Sequence, residues 1–363
     1  MQSQDQLFLI CAHFLESECI KRIEPLTSGH INDTYHIVSE KDEYVLQRLN
    51  THVFNNYISL IQNKVTISNY IKKFYNKNGS PYKTITVIKT KGDSFYLENN
   101  DSIWILMHYI RESQVFYKAP NKDVVFEAGK LYGNFTYATT SVDCSKISEI
   151  LPDFHSVPLR LKQFEKALKL ASNKRRKASQ SWIDLINNYR RSMCELWKLK
   201  ENNTLPRRIT HNDTKLSNIL FSKTDPVKGL AVIDLDTVMP GLVHFDFGDS
   251  IRSICSTATE DDDNLNKVSI NLDYYNAFCM GYANETKNIL TPLEISYLPL
   301  GVQTLIFIMG LRFLTDFLNN DTYYKTDYQL HNLVRASNQF TLFNSVIENL
   351  DSIKTITKQN FQL

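Results

Sequence analysis

The sequence lacks an excess of charge of either sign. Its 41 Lys and Arg face 39 Asp and Glu, a formal net charge of +2 over 363 residues, which gives no case for a nucleic-acid partner, since that needs a basic stripe. Paired cysteine motifs are missing too. Cys11, Cys19, Cys144, Cys194, Cys255 and Cys279 are scattered, with no Cys-x-x-Cys spacing, so they read as reduced core thiols of a cytoplasmic protein rather than zinc ligands or a redox pair. No basic region opens the chain, and no small-residue cleavage site follows the short apolar stretch at 7–14, so a signal peptide is not expected. The longest apolar run, around 298–314, is broken by Gln303, Gly310 and Arg312. A buried helix is the expectation there, and no membrane partner. Internal repeats and low-complexity linkers are also absent.

Against these absences, 42% hydrophobic and 22% charged residues provide for a large core. The length fits two domains of roughly 100–200 residues each, or one domain in two lobes. Residues 19–26, 34–38 and 44–49 read as three strands, the first two joined through a turn at Thr27-Ser28-Gly29-His30. Residues 55–75 carry Ile58, Ile61, Val65, Ile67 and Ile71 near helical spacing. Short strands follow at 84–88, 94–97 and 103–110. Beyond residue 111 the pattern predicts helices over 122–138, 160–171, 181–199, 265–282, 292–318 and 327–350, interrupted by apolar strand-like pieces at 219–221 and 230–233. The expectation is an α+β chain with a β-rich N-lobe, 1–110, and a mostly helical C-lobe, 111–363. A cleft between two lobes is the usual place for a small-molecule site. The basic run 174–177 reads as a solvated turn, and the acidic run 260–263 as an exposed loop.

The segment His211-Asn212-Asp213-Thr214-Lys215-Leu216-Ser217-Asn218 sets an Asp five residues before an Asn. An apolar strand follows, and its hairpin partner leads into Asp234. Phosphoryl transfer asks for such a set: a carboxylate beside the acceptor hydroxyl, and oxygen ligands for the Mg²⁺ that bridges the phosphates. Asp213 fits the first role. Asn218 and Asp234 fit the second, because Mg²⁺ is a hard ion that prefers oxygen and keeps several waters. Lys215, two residues from Asp213, suits neutralisation of the transferring phosphoryl group. His211 reads as structural. Asp236 stands open, either joining the metal shell or orienting a neighbour.

These blocks resemble the aminoglycoside phosphotransferase and choline kinase family, which has the protein-kinase-like two-lobe fold. Within that family, residues 211–221, 232–241 and 246–252 are similar to the N-acetylhexosamine 1-kinases, as are 29–35, 46–50 and 310–316. The resemblance spans residue 29 to about residue 325. It implies a nucleotide-binding N-lobe, a catalytic and acceptor-binding C-lobe, ATP and Mg²⁺ as cofactors, and a small sugar as acceptor. Backbone amides at Ser28 and Gly29 would approach phosphate. Gln47 and Arg48 stand where the fold places its strand lysine. Backbone groups from Met107 to Tyr109 would meet the adenine edge. His30, Arg312 and Tyr323 would hold the sugar beside Asp213, and Arg252 would either bind substrate or brace Asp246. Arg312 lies inside an apolar helix, so it needs an ion-pair partner or a ligand.

The nucleotide end departs from the family pattern. The turn at 27–31 has one glycine rather than Gly-x-Gly-x-x-Gly, the third strand reads Val45-Leu46-Gln47, and the next helix offers Gln62, with no acidic residue from 44 through 92. The usual Lys–Glu pair is therefore missing. Either Arg48 swings in, another base helps, or phosphate contacts rest on Mg²⁺ and backbone amides. Asp246-Phe247-Gly248 spells the metal motif of protein kinases, yet it opens a helix instead of ending the strand that pairs with the one after the loop. Asp246 and Asp249 are accordingly read as bracing residues. The expected activity is ATP-dependent phosphorylation of the anomeric hydroxyl of an N-acetylhexosamine. The alternatives are a kinase for an amino alcohol, thiosugar or aminoglycoside, and a non-catalytic nucleotide-binding pseudokinase.

Overall fold

Alternating branched and polar residues build an antiparallel sheet at the start of this computed structural model, which describes residues 3–16, 20–26 and 32–362. Helix α1 (Gln4–Ala12) comes first, closed by a capping box in which Ser3 and Gln6 bond each other's backbone N–H. It buries Leu7, Ile10 and Cys11 in a cluster with Ile23, Ile37, Leu46 and Trp104. Strands β1 (Ile20–Pro25), β2 (Asp33–Ser39) and β3 (Glu43–Leu49) follow. Helix α2 (Tyr57–Asn78) begins at an Asn56 cap and stops at Gly79, whose φ of 61° is the left-handed geometry glycine supplies. Its buried stripe runs Leu60, Ile61, Lys64, Val65, Ile67, Ser68, Ile71, a helical spacing with one lysine in it. Strands β4 (Val87–Ile88), β5 (Leu97–Asn99), β6 (Ser102–His108) and β7 (Ser113–Gln114) complete this stretch, and the sheet order is β1-β2-β3-β6-β4 with β5 on β6. β4 is shorter than the expected 84–88 because the Lys83 N–H bonds the Leu230 carbonyl instead of extending a ladder.

The chain next builds α3 (Lys122–Thr139), α4 (Val157–Leu170), α5 (Asn173–Ala178), α6 (Gln180–Met193), α7 (Glu195–Glu201) and the short β8 (Arg208–Thr210). The single helix expected over 181–199 is two, broken at Cys194. The basic run 174–177 lies in α5 rather than a turn, and Arg175 pairs with Asp321. β9 (Ile219–Ser222) and β10 (Gly229–Val232) form the hairpin, and β7 pairs with β9. β11 (Met239–Gly241) leads into α8 (Val243–Ile254), α9 (Leu272–Thr286), α10 (Pro292–Leu318), α11 (His331–Glu348) and α12 (Leu350–Phe361). α9 starts at Leu272, not 265, because Asn271 caps it and the preceding residues fold back through a Ser256–Ile270 bridge. α10 is long and apolar enough to cross a membrane by composition, but 78% of its apolar window is buried, as in a core helix.

Two compact units result. The first takes Met1–Val115, Ser141–Leu151 and Leu220–Met239; the second takes Phe116–Thr140, Pro152–Ile219 and Pro240–Leu363. A single boundary at residue 110 does not describe this division, because two later segments return to the first unit.

Candidate active site

In the first unit, strand alternation sends Gln47 and Arg48 of β3 to opposite faces. Arg48 pairs with Asp33, and its guanidinium lies 5.9 Å from the Trp104 ring centroid. Gln47 faces α2, where its Oε1 accepts from Lys64 Nζ at 3.3 Å. Lys64 forms an ion pair with Asp236, and both side chains are nearly sealed, at 2% and 5% exposure. Asp236 also accepts from Asn32 Nδ2 at 2.6 Å, while Asn32 Oδ1 accepts the Asn50 N–H at 2.8 Å. Two residues earlier, Asp234 has φ 61° and an exposed side chain. That left-handed backbone, which Asp tolerates, accompanies the split between the two carboxylates: one exposed, one buried on a lysine. Gln62, the helix residue singled out from sequence, is exposed. Lys64 was missed, although its place on the buried stripe of α2 was the signal available.

Of the backbone groups from Met107 to Tyr109 expected at the adenine edge, the N–H groups of His108 and Tyr109 are engaged in bonds of their own. Met107 sits inside the sheet, opposite Val45 on one side and Val87 on the other. The Tyr109 N–H bonds the Glu43 carbonyl at 2.9 Å, and the His108 N–H bonds Thr86 at 3.0 Å. Tyr109 instead lines a cavity of about 380 Å³ with Lys72, Tyr75, Tyr82 and Arg111. Ser28, Gly29 and His30 lie outside the described residues.

In the second unit, β8 feeds the loop 211–218. Arg208 holds the strand to α10 through a forked contact with Glu294, at 2.6 and 3.0 Å. Asn212 takes φ 65°. The two carboxylate oxygens of Asp246 accept the N–H groups of His211 and Asn212, both at 2.7 Å, and Thr214 Oγ1 donates to the Asp246 carbonyl. Asp249 accepts the Thr214 N–H at 2.9 Å. These two carboxylates of α8 thus brace the loop. Burial pushes the Asp246 carboxyl up to about 6, against the downward pull of His211 and the two N–H groups. The buried His211 ring packs edge-on to Tyr132 and Phe135, and its Nδ1 accepts the Asp213 N–H at 3.3 Å.

Asp213 therefore projects from a fixed backbone. Its Oδ2 accepts from Lys215 Nζ at 2.9 Å and from Asn218 Nδ2 at 2.9 Å. Asn218 Nδ2 also donates to the Asp213 carbonyl at 2.8 Å, so its amide oxygen is the atom left for a cation. The Lys215 carbonyl accepts from the Tyr132 hydroxyl at 2.7 Å. Burial alone would raise the Asp213 carboxyl, but Lys215, His211 and the Asn218 bond outweigh it and hold the group below the usual carboxylate range. About a third of the side chain is exposed.

A basic, aromatic cluster lies beside this loop in the same unit. His155 is buried and shares a hydrogen bond with the Asn212 side chain. The Arg312 guanidinium lies 5.7 Å from the Phe154 ring centroid and 5.5 Å from that of Tyr324. Among the described residues no carboxylate pairs with Arg312, so the ion pair with an Asp weighed from sequence is not formed. Arg160 bonds Gln163 and the Phe154 carbonyl; burial and then Arg312 push its pKa down. The Tyr324 hydroxyl is buried without a hydrogen-bond partner. Asp316 shapes the loop carrying Tyr323 and Tyr324 by accepting the N–H groups of Thr322, Tyr323 and Tyr324. Tyr323 itself is 71% exposed. Arg252 stands apart: Asp249 and Glu260 both hold its guanidinium, at 2.9 and 2.6 Å, so it is a brace rather than a residue open to substrate.

A profile of the phosphotransferase enzyme family, APH, matches residues 99–271. Solved structures with the same fold include a microcompartment-associated aminopropanol kinase, 13% identical over 97% of this chain and 99% of that one, at TM-score 0.64. An aminoglycoside phosphotransferase from Alicyclobacillus acidocaldarius is 11% identical over 97% of each chain, at TM-score 0.63. An ADP-bound aminoglycoside phosphotransferase is 14% identical over 95% of this chain and 99% of that one, at TM-score 0.52. The fold is kinase-like, with a β-sheet unit and a helical unit, as the residue pattern led one to expect.

Proposed function

We propose that the protein is an ATP-dependent small-molecule kinase that phosphorylates the anomeric hydroxyl of an N-acetylhexosamine, giving the sugar 1-phosphate. The observation that carries the phosphotransferase reading is Asp213, kept ionised by Lys215 and Asn218 on a loop braced by Asp246 and Asp249. In this reading Asp213 orients the acceptor hydroxyl and takes its proton as the oxygen attacks. The anomeric hydroxyl is the most acidic of a sugar, which suits a base of low pKa. Lys215 meets the charge of the transferring phosphoryl group. Asn218 and Asp234 are the oxygen donors for Mg²⁺, and a hard-ion site of few protein ligands suits their amide and carboxylate chemistry. When bound, the metal neutralises phosphate charge. The APH profile and the ADP in one similar structure support ATP as the donor.

The acceptor class rests on the cluster of Arg312, Arg160, Phe154 and Tyr324. Two guanidiniums that form no ion pair at contact distance among the described residues disfavour a cationic acceptor, by like-charge repulsion. They suit hydroxyl and acyl oxygens, with rings for the apolar face of a sugar. Similar structures named for aminopropanol and aminoglycosides motivate the second reading, an amine-bearing acceptor. A product-resolved assay decides between them. ³¹P NMR after incubation with Mg·ATP and N-acetylglucosamine, N-acetylgalactosamine, aminopropanol or an aminoglycoside should show an anomeric phosphate with an amino sugar. A 6-phosphate, or a phosphate ester of the amino alcohol or aminoglycoside, would sink the 1-kinase reading, and no Mg²⁺-dependent ATP consumption with any acceptor would favour a pseudokinase.

A further inference from the structure

We infer that Lys64 is the cation that grips the nucleotide phosphates, relocated from strand β3 to helix α2. The inference rests on the nucleotide half of the reading above and is independent of the acceptor. β3 carries Gln47 where a strand lysine is usual, yet the position is not without charge: Lys64 Nζ reaches Gln47 Oε1 at 3.3 Å from the helix packed against that face. The customary arrangement, lysine on the strand and acid on the helix, is thereby inverted. The lysine comes from the helix, and the acid that holds it, Asp236, comes from the segment after the hairpin, two residues beyond Asp234.

The donor count supports a ligand-binding role. An ammonium has three N–H donors. One goes to Gln47, the ion pair with Asp236 engages the ammonium from a second side, and no other partner is present among the described residues. A buried lysine serving stability alone gains little, since a charge pair sealed from water roughly breaks even against an apolar pair of the same shape. Its place beside the lysine position of β3, paired with an acid two residues beyond Asp234, gives it a use. Asp236 holds the ammonium in position, Asn32 holds Asp236, and the remaining N–H, now sealed at 2% exposure, is the one a phosphate oxygen would take once the side chains covering it give way. Asp236 is thus a positioning residue, not a metal ligand.

The test measures binding, not turnover. Calorimetric dissociation constants for Mg·ADP and for adenosine are determined on the full chain, on Lys64→Gln, and on Lys64→Gln/Asp236→Asn. The double variant removes both charges and leaves neither buried alone, so it answers the question even if the single variant does not fold. Loss of the lysine should weaken Mg·ADP at least tenfold while adenosine stays within about twofold. Lys64→Gln/Gln47→Lys, which returns the cation to the strand, should recover most of the Mg·ADP affinity. An unchanged Mg·ADP to adenosine ratio in the charge-free double variant would overturn the assignment and leave Lys64 as a structural group. Failure of the unaltered chain to bind either ligand would instead overturn the nucleotide reading itself.

Discussion

Replacing Asp213 by Asn keeps the shape of the side chain and removes its charge. The bracing bonds from Asp246 and Asp249 reach backbone N–H groups of the loop, not this carboxylate, so the loop should hold. If the carboxylate acts on the acceptor proton, turnover should fall roughly 10²- to 10⁴-fold, with Tm and Mg·ADP affinity little changed; steady-state kinetics beside a melt would reveal a merely structural Asp213 by near-normal kcat. Buried histidines set a different residue-scale expectation. Burial, followed by Arg312, pushes His155 down to about 3. Burial also pushes His244 down to about 4, despite its bond to the Glu294 carbonyl. In the unfolded chain each takes up a proton near pH 6.5. Below that, the unfolded state binds more protons than the folded one, so this contribution is complete above about pH 6.5 and is lost as pH falls toward 4. Tm should therefore drop on that acid limb, and His244→Gln should flatten the dependence; an equal slope in the variant would exclude His244 as the source.

Helices α8 and α10 cross where neither has a side chain to spare. A Cβ on Gly248 would come within 2.3 Å of the Gly301 carbonyl oxygen, and one on Gly301 within 2.4 Å of the His244 carbonyl oxygen. In an open helix Gly→Ala stabilises, but here the added methyl meets backbone that cannot swing away. Gly301→Ala should destabilise by about 1–3 kcal/mol, read as a Tm several degrees lower in calorimetry. Because α8 carries Asp246 and Asp249, the same change should also lower kcat by shifting the loop; a variant with raised Tm would show that the helices can separate at no cost. The ends of α10 were legible because Thr291 and Glu294 form a capping box, with Pro292 at the first turn. The start of α9 was not, since residues 265–271 have helix-like composition but are held by a bridge to Ser256 and by the Asn271 cap. That Asp213, Lys215 and Asn218 come together was legible because they are local in sequence and meet one another directly. Of the two roles open to Arg252 from sequence, substrate binding or bracing, its bonds to Asp249 and Glu260 favour bracing, and the Glu260 partner was not foreseen because it lies in the segment after α8.

Long-range pairing is what sequence reading could not supply, and it governs the whole molecule. The chain crosses between the two units at 115, 140, 151, 219 and 239, so neither unit is one continuous segment. The Lys64–Asp236 pair shows the consequence: the helix lysine and its carboxylate are 172 positions apart (236 minus 64), and no local pattern links them. Other long-range bonds repeat the lesson within the first unit. Asn63 of α2 donates to the Ser148 and Val238 carbonyls, at 2.8 and 3.0 Å, and the Lys83 N–H bonds Leu230. A fragment of residues 1–115 would retain the sheet β1-β2-β3-β6-β4 yet lose Ser141–Leu151 and Leu220–Met239. Lys64 would be left buried without its carboxylate, and breaking a buried pair in this way costs about 3–5 kcal/mol, a large share of the ~5–15 kcal/mol that holds a typical domain together. The fragment should be soluble at best as an unfolded or loosely collapsed chain, with no cooperative melt by circular dichroism and rapid cleavage by a protease that spares the full protein. Adding Lys64→Met to the same fragment should recover part of the lost order by removing the stranded charge. A sharp two-state melt from unaltered 1–115 would instead mean that the sheet is self-sufficient and that the carboxylate from the later segment is not needed for folding.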